Sequence, residues 1–267
     1  MVAKNKTLLL VEDDFSLAIL ESKMLKDYGY KVEHVLSGEE AIEVMNQIPE
    51  IDLILMDINL GNGLDGTETA ERILSDHSVP IVFLSSHIEK ELIEKTEKIT
   101  SYGYVLKSSH ITVLDASIKM AFKLFNAHKK IVESENKFKD IFENTLDCIF
   151  ILEVSEDLRY KVIALNPAEL LQLKKLPIFN NRINHLNNNL ETFENTDLEE
   201  FISSEIYSTL KINYDRCVSE GKIISYEEKL SNEKFYTQLI PVKDTKGKIH
   251  RIIGISRNIS NLKLTND

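Results

Sequence analysis

The 267-residue chain has no apolar stretch long enough to cross a bilayer: its most apolar segments, 7–11, 51–56 and 81–84, are strand-sized, against the roughly 20 residues a transmembrane helix needs. It also lacks the opening of a secreted protein. Residues 1–11 combine two lysines with an apolar run too short for a signal-peptide core, and Glu12, Asp13 and Asp14 follow at once. A cytoplasmic location without membrane association is expected. Cysteine is scarce. Cys148 and Cys217 are too few for a metal cage, and a reducing compartment makes buried free thiols the expectation. Positive charge is in deficit, with a formal net charge of -11, which argues against a surface built to bind nucleic acid. The imbalance is uneven: residues 1–125 hold 12 basic and 21 acidic side chains, net -9, and residues 126–267 hold 20 and 22, net -2.

What is present begins with a change of period. In the first half, apolar runs at 6–11, 31–35, 53–56, 81–84 and 103–106 alternate with helical patterns at 15–28, 38–48, 65–75, 88–99 and from 111 onward. Ser37 and Ser86 are candidate helix caps. Strands that read as continuous apolar runs are covered on both faces, so five βα units predict an α/β fold, a doubly wound five-stranded parallel sheet. In such a sheet, function gathers at the carboxyl ends of the strands.

Residues 111–144 contain neither proline nor glycine, and Ile118, Phe125 and Val132 recur every seven residues beside Leu124, Ile131 and Phe138. One long helix is expected, either a pairing seam for a homodimer or an ordinary amphipathic helix. Beyond it, strands at 148–154 and 158–165, short helices over 167–190, an asparagine-rich loop at 180–189, a helix at 205–218 and strands at 222–230, 233–242 and 248–259 predict an antiparallel α+β domain.

Acids cluster at the strand ends of the first half. Glu12, Asp13 and Asp14 follow the first run and Asp57 the third, ends that are neighbours in a doubly wound sheet. Crowded carboxylates need a cation, and an all-oxygen set suits Mg²⁺. Ser85 ends the fourth run and Lys107 follows the fifth. A nucleophilic carboxylate, a divalent ion, a lysine and a hydroxyl on one rim suit phosphoryl transfer onto Asp57. Gly61, Gly63 and Gly66 also spell G-x-G-x-x-G. That fingerprint belongs to dinucleotide sites, but here it lies in the third unit beside an acid that would repel a pyrophosphate, so an active-site loop is expected instead.

The segments Leu8-Leu9-Leu10-Val11-Glu12-Asp13-Asp14, Leu53-Ile54-Leu55-Met56-Asp57-Ile58-Asn59-Leu60, Leu64-Asp65-Gly66, Leu84-Ser85-Ser86 and Gly103-Tyr104-Val105-Leu106-Lys107 resemble the receiver domain of two-component response regulators, a flavodoxin-like fold. The resemblance covers residues 5–125. It implies that Asp57 accepts a phosphoryl group from phosphohistidine on a partner histidine kinase or phosphotransfer protein. Glu12 and Asp13, rather than Asp14, would hold Mg²⁺ with Asp57 and the main-chain carbonyl of Asn59. Lys107 would pair with the phosphoryl oxygens, while Ser85 and Tyr104 would switch position with phosphorylation. Ser108 stands where the family usually has proline, so the peptide after Lys107 is expected to be trans.

Residues 138–262 resemble a PAS sensor domain, through Phe142-Glu143-Asn144, Asn166-Pro167-Ala168, the polar turn at 241–247 and Gly254-Ile255-Ser256-Arg257-Asn258-Ile259-Ser260. Such domains bind haem, flavin, small metabolites or nothing, and also dimerise. His185 and His250 are the histidines to weigh as haem ligands, and both are expected to be solvated instead. Neither cysteine stands in a flavin-photoreceptor motif. A pocket, if open, is expected to be apolar and lined by Ile149, Ile151, Leu239, Ile253 and Ile255; the alternative is a filled core. The expected organisation is thus a receiver at 5–125, a connecting helix at 112–140 and a PAS domain at 138–262, resembling the N-terminal part of hybrid sensor histidine kinases.

The expected function is phosphorelay signalling, with a Mg²⁺-dependent receiver coupled to a sensory and dimerising domain. Self-phosphorylation at Asp57 is the only chemistry expected of it, because no kinase catalytic domain, ATP lid or basic recognition helix can be read in the chain. The alternatives are the front half of a sensor histidine kinase, or an aspartate-nucleophile phosphatase. The latter is disfavoured because Asn59, two residues after Asp57, cannot serve as a general acid.

Overall fold

The computed structural model describes residues 5–47, 50–61, 63–86, 102–174, 196–230 and 233–260. The chain divides into two units, Met1–Ser134 and Glu135–Asp267. In the first, strands β1 (Thr7–Val11), β2 (Lys31–Val35), β3 (Leu53–Asp57), β4 (Ile81–Ser85) and β5 (Gly103–Leu106) form one sheet in the order β2-β1-β3-β4-β5. Every pair is parallel. Helices α1 (Phe15–Asp27), α2 (Gly38–Gln47), α3 (Gly66–Asp76) and α4 (Ile111–Asn144) accompany it. The helix expected at 88–99, with its cap Ser86, falls largely outside the described residues.

The apolar runs are continuous because successive side chains enter different cores. Leu8 and Leu10 pack with Ala18 and Leu25 of α1 and with Leu114 and Ile118 of α4. Leu9 and Val11 pack on the opposite face with Ala41 and Met45 of α2 and Ala70 and Ile73 of α3. Ser37 caps α2, its hydroxyl accepting from the Glu40 N–H at 3.2 Å. Asp65 caps α3 through a reciprocal box with Glu68. α4 runs for 34 residues, starting in the first unit and ending in the second.

The second unit is built on a six-stranded sheet, β8-β7-β6-β11-β10-β9, all of whose pairs are antiparallel. Its strands are β6 (Cys148–Val154), β7 (Tyr160–Leu165), β8 (Thr196–Asp197), β9 (Ile224–Leu230), β10 (Glu233–Lys243) and β11 (Ile249–Asn258). Helices α5 (Pro167–Lys174), α6 (Leu198–Phe201) and α7 (Ser204–Glu220) lie between β7 and β9 in the chain. The sixth strand, β8, has two polar residues, too few to show a period. Strand β7 starts two residues later than expected, because Ser155 and Arg159 close a turn through Leu158 in a left-handed conformation. The asparagine-rich stretch and His185 lie outside the described residues. No helix among the described residues is long and apolar enough to cross a membrane.

Asn166 joins the two halves of this unit. It is fully buried; its side-chain oxygen accepts from the Ile149 and Glu169 N–H groups and its amide donates to the Asp147 carbonyl, each at 2.9 Å. One residue thereby caps α5 and ties it to the start of β6. Asn166→Ala leaves these backbone groups without partners, and is expected to lower the stability of the second unit by about 2–3 kcal/mol, read as an earlier urea transition of that unit.

Candidate functional site

Strands β1 and β3 are adjacent and in register, Val11 facing Met56, so the residues that follow and close them meet on one rim. One carboxylate oxygen each from Glu12, Asp13 and Asp57 lies within 4.8 Å of the others. Glu12 and Asp57 are buried, 1% and 2% exposed, whereas Asp13 is exposed. Lys107 arrives from the end of β5, its main-chain N–H donating to the Ser85 carbonyl at 2.8 Å. Its Nζ lies 2.5 Å from Glu12 Oε2 and 2.6 Å from Asp57 Oδ2.

Burial pushes the Glu12 carboxyl above its ordinary value and the Asp57 charge acts in the same direction, while Lys107 opposes both. For Lys107 burial works against the charged form, but bonding to Asp57 and Glu12 outweighs it and raises the ammonium above its ordinary value. Three carboxylates around one ammonium leave a formal excess of two negative charges, which a divalent ion would cancel. The donor set is hard oxygen throughout and partly open to solvent through Asp13, which fits an ion that retains several waters.

The other candidate residues are placed as follows. Asp14 is not part of the cluster; it caps α1, its carboxylate accepting from the Ser16 and Leu17 N–H groups at 2.8 and 3.1 Å. Of three consecutive acids, two therefore face the rim and one starts the helix. Ser85 closes β4, buried, on the strand next to Asp57. Tyr104 is half-buried on β5 opposite Phe83, packed on the core layer beneath α2 and α3. Asn59 is exposed, and its N–H donates to Asp57 Oδ1 at 3.2 Å. The peptide after Lys107 is trans, as no cis bond occurs among the described residues.

Two of the three glycines, Gly61 and Gly66, serve the rim. A side chain on Gly66 would put its Cβ 1.9 Å from the Asp57 carbonyl oxygen, so only glycine lets α3 begin this close. Gly61 has φ +55° and lies against the Asp13 carboxylate.

Sequence reasoning missed Glu21. The buried positions of α1 are Ala18, Glu21, Ser22 and Leu25, while Phe15, Ile19 and Leu20 are exposed. The helix thus turns a polar pair inward, and Glu21 Oε2 and Ser22 Oγ are buried without a hydrogen-bond partner among the described residues. The expected pocket of the second unit also needs correction. Ile149, Ile151, Ile253 and Ile255 are half-exposed, and Leu239 is core. The cavity lies on the opposite face, against Cys148, Phe150, Leu152 and Ser256, because a one-residue error in a strand exchanges its faces. His250 is half-buried on β11 and away from that cavity. Both cysteines are buried free thiols, and burial pushes Cys217 up to about 11.

Residues 8–119 match the family model described as "Response regulator receiver domain". The first unit contains a receiver domain. This receiver is similar to the transcriptional regulatory protein PdtaR of Mycobacterium tuberculosis, with 28% identity over 45% of this chain and 58% of that one. It is also similar to sporulation initiation phosphotransferase F of Bacillus subtilis, with 22% identity over 43% of this chain and 92% of that one. Among solved structures, the N-terminal domain of a response regulator/sensory box/GGDEF 3-domain protein from Carboxydothermus hydrogenoformans shares 43% identity, over 46% of this chain and 98% of that chain, with a TM-score of 0.44. The chain spans about half the length of curated relatives such as PdtaR.

Glu21 gives the receiver a pH signature. Burial raises its carboxyl from 4.5 to about 7, with the charges of Glu12 and Asp57 adding and that of Lys107 opposing. Below about 4.5 folded and unfolded chains both hold the proton; between there and about 7 only the folded chain keeps it. Stability is therefore lost as pH rises through that window. Glu21→Gln removes this fall and is expected to stabilise the receiver at pH 8 by about 3 kcal/mol, measured by urea unfolding against pH in chelator-containing buffer.

Proposed function

We propose that the protein is a cytoplasmic phosphorelay component in which Asp57 takes a phosphoryl group from a histidine kinase or phosphotransfer protein, and a PAS-type sensory domain in the second unit is coupled to that event. The observation that carries the first part is the Lys107 ammonium seated between the buried carboxylates of Glu12 and Asp57. A carboxylate oxygen of Asp57 attacks the phosphorus of phosphohistidine; the P–N bond breaks, a P–O bond forms, and the imidazole leaves. Glu12, Asp13 and Asp57, with the Asn59 carbonyl, are the groups that would hold Mg²⁺, which supplies charge neutralisation for the transferring phosphoryl oxygens. Phosphorylation replaces a single carboxylate charge by about -1.5 to -2 and adds acceptor oxygens. Lys107 then pairs with those oxygens, Ser85 donates its hydroxyl to one of them, and Tyr104 follows inward. The protein itself has no further substrate in this reading.

The PAS reading of the second unit is supported by the order of its elements, two strands, a helical segment and three long strands around an antiparallel sheet, and by the structural use of Asn166. Coupling through α4 is supported by the stripe it carries. Leu124, Ile131 and Phe138 recur every seven residues and are 48%, 58% and 58% exposed, the pattern of a seam in a two-chain coiled coil.

Incubation with Mg²⁺ and a small acyl phosphate is expected to add one labile phosphoryl group to the wild type, read by intact mass, and none to Asp57→Ala or to wild type in excess chelator. An unmodified wild type overturns the reading. For the seam, light scattering is expected to report a dimer for the full chain and a monomer for Ile131→Glu; a monomeric wild type rejects it.

A further inference from the structure

The second unit has a partly open cavity of about 90 Å³ between its sheet and helices α5 and α7. At 10–15 Å³ for each water position, it holds roughly six to nine such positions. Its walls are apolar and aromatic, including Phe150, Leu152, Ile206 and Phe235, yet two carboxylates, Glu169 of α5 and Glu228 of β9, share it. Among the described residues no lysine, arginine or histidine lines it. Both acids are half-buried, and carboxylates drawn partly out of water among apolar walls without a cation are unfavourable.

We propose that this cavity binds a small organic cation, an alkylammonium ion with a short apolar body, whose charged head sits between Glu169 and Glu228. The inference builds on the sensory reading of the unit and names its ligand class. The strands hold Glu228 as an acceptor. Thr237 donates its hydroxyl to Glu228 Oε1 at 2.7 Å, and the Thr237 and Ser256 hydroxyls are hydrogen-bonded to each other. Threonine has one hydroxyl proton, so Ser256 must donate to Thr237 and the chain of donors ends on the carboxylate. Burial raises Glu228 above its ordinary value, and raises Glu169 to about 7 with the Glu228 charge adding; an incoming cation would relieve both.

Two more observations point to a ligand. Tyr214 is 3% exposed and lines the cavity, yet its hydroxyl makes no hydrogen bond among the described residues. Tyr226 lines the same cavity, and faces of tyrosine and phenylalanine attract cations. An anion would meet two carboxylates. A divalent metal would find too few oxygen ligands, and a plain hydrocarbon would leave both acids without a counter-charge.

The test uses the full-length chain and three probes of one shape: n-butylammonium, butan-1-ol and butanoate, followed by ligand-observed NMR. A probe this small is bounded near micromolar affinity at best. Butylammonium is expected to bind at least about tenfold more tightly than the other two. Glu228→Gln should remove that preference and Tyr214→Phe, which keeps the ring, should weaken it; far-ultraviolet circular dichroism checks that each variant is folded. Equal binding of the alcohol, or no binding of the ammonium ion, overturns the proposal. Adding butylammonium to the Asp57 phosphorylation assay reads the sensory coupling separately, since selective binding without a change in phosphorylation supports the cation site while rejecting that coupling.

Discussion

The first unit is organised around a half-buried ammonium held by two buried carboxylates. Glu12, Asp57 and Lys107 stand at the carboxyl ends of three strands, β1, β3 and β5, and their charges meet within 2.5 and 2.6 Å. Removing Lys107 leaves the two buried carboxylates without their counter-charge, a change that costs several kcal/mol in buried pairs. The same arrangement is short of positive charge by two, so the site is stable enough to form and still electrostatically incomplete. That negative excess is what would draw a divalent cation to the rim.

Much of this was legible in the sequence, for identifiable reasons. A strand covered on both faces must be apolar throughout, so five such runs fixed the parallel sheet, and the sheet in turn fixed which acids would meet. The legibility fails where composition and burial part company. In α1 the apolar Ile19 and Leu20 are exposed and Glu21 is buried, so a reading of the helix by hydrophobicity chooses the wrong face. Asp13 and Asp14 are chemically alike, so composition alone does not separate them; the start of α1 shows Asp14 to be the cap.

The second unit fails in a different way. β6 is apolar on both faces until Glu153, so its sequence carries no alternation from which to choose the inner one. On β11 the large isoleucines 253 and 255 are half-exposed while Gly254 and Ser256 are buried. The small residues are inside because Phe150 lies over Gly254, where even a Cβ would stand 2.0 Å from the ring. Size complementarity, rather than hydrophobicity, decides the face, and it can be seen only once the strands are paired.

Gly66 touches the carbonyl of Asp57, and its own N–H donates to the Ile58 carbonyl at 2.9 Å. The main chain of Asp57 and Ile58 is therefore in backbone-to-backbone contact with the first turn of α3, with no side chain between them to rotate and absorb a displacement. A displacement of the Asp57 peptide is passed directly to the helix start. In mechanical terms the joint is a stiff weld.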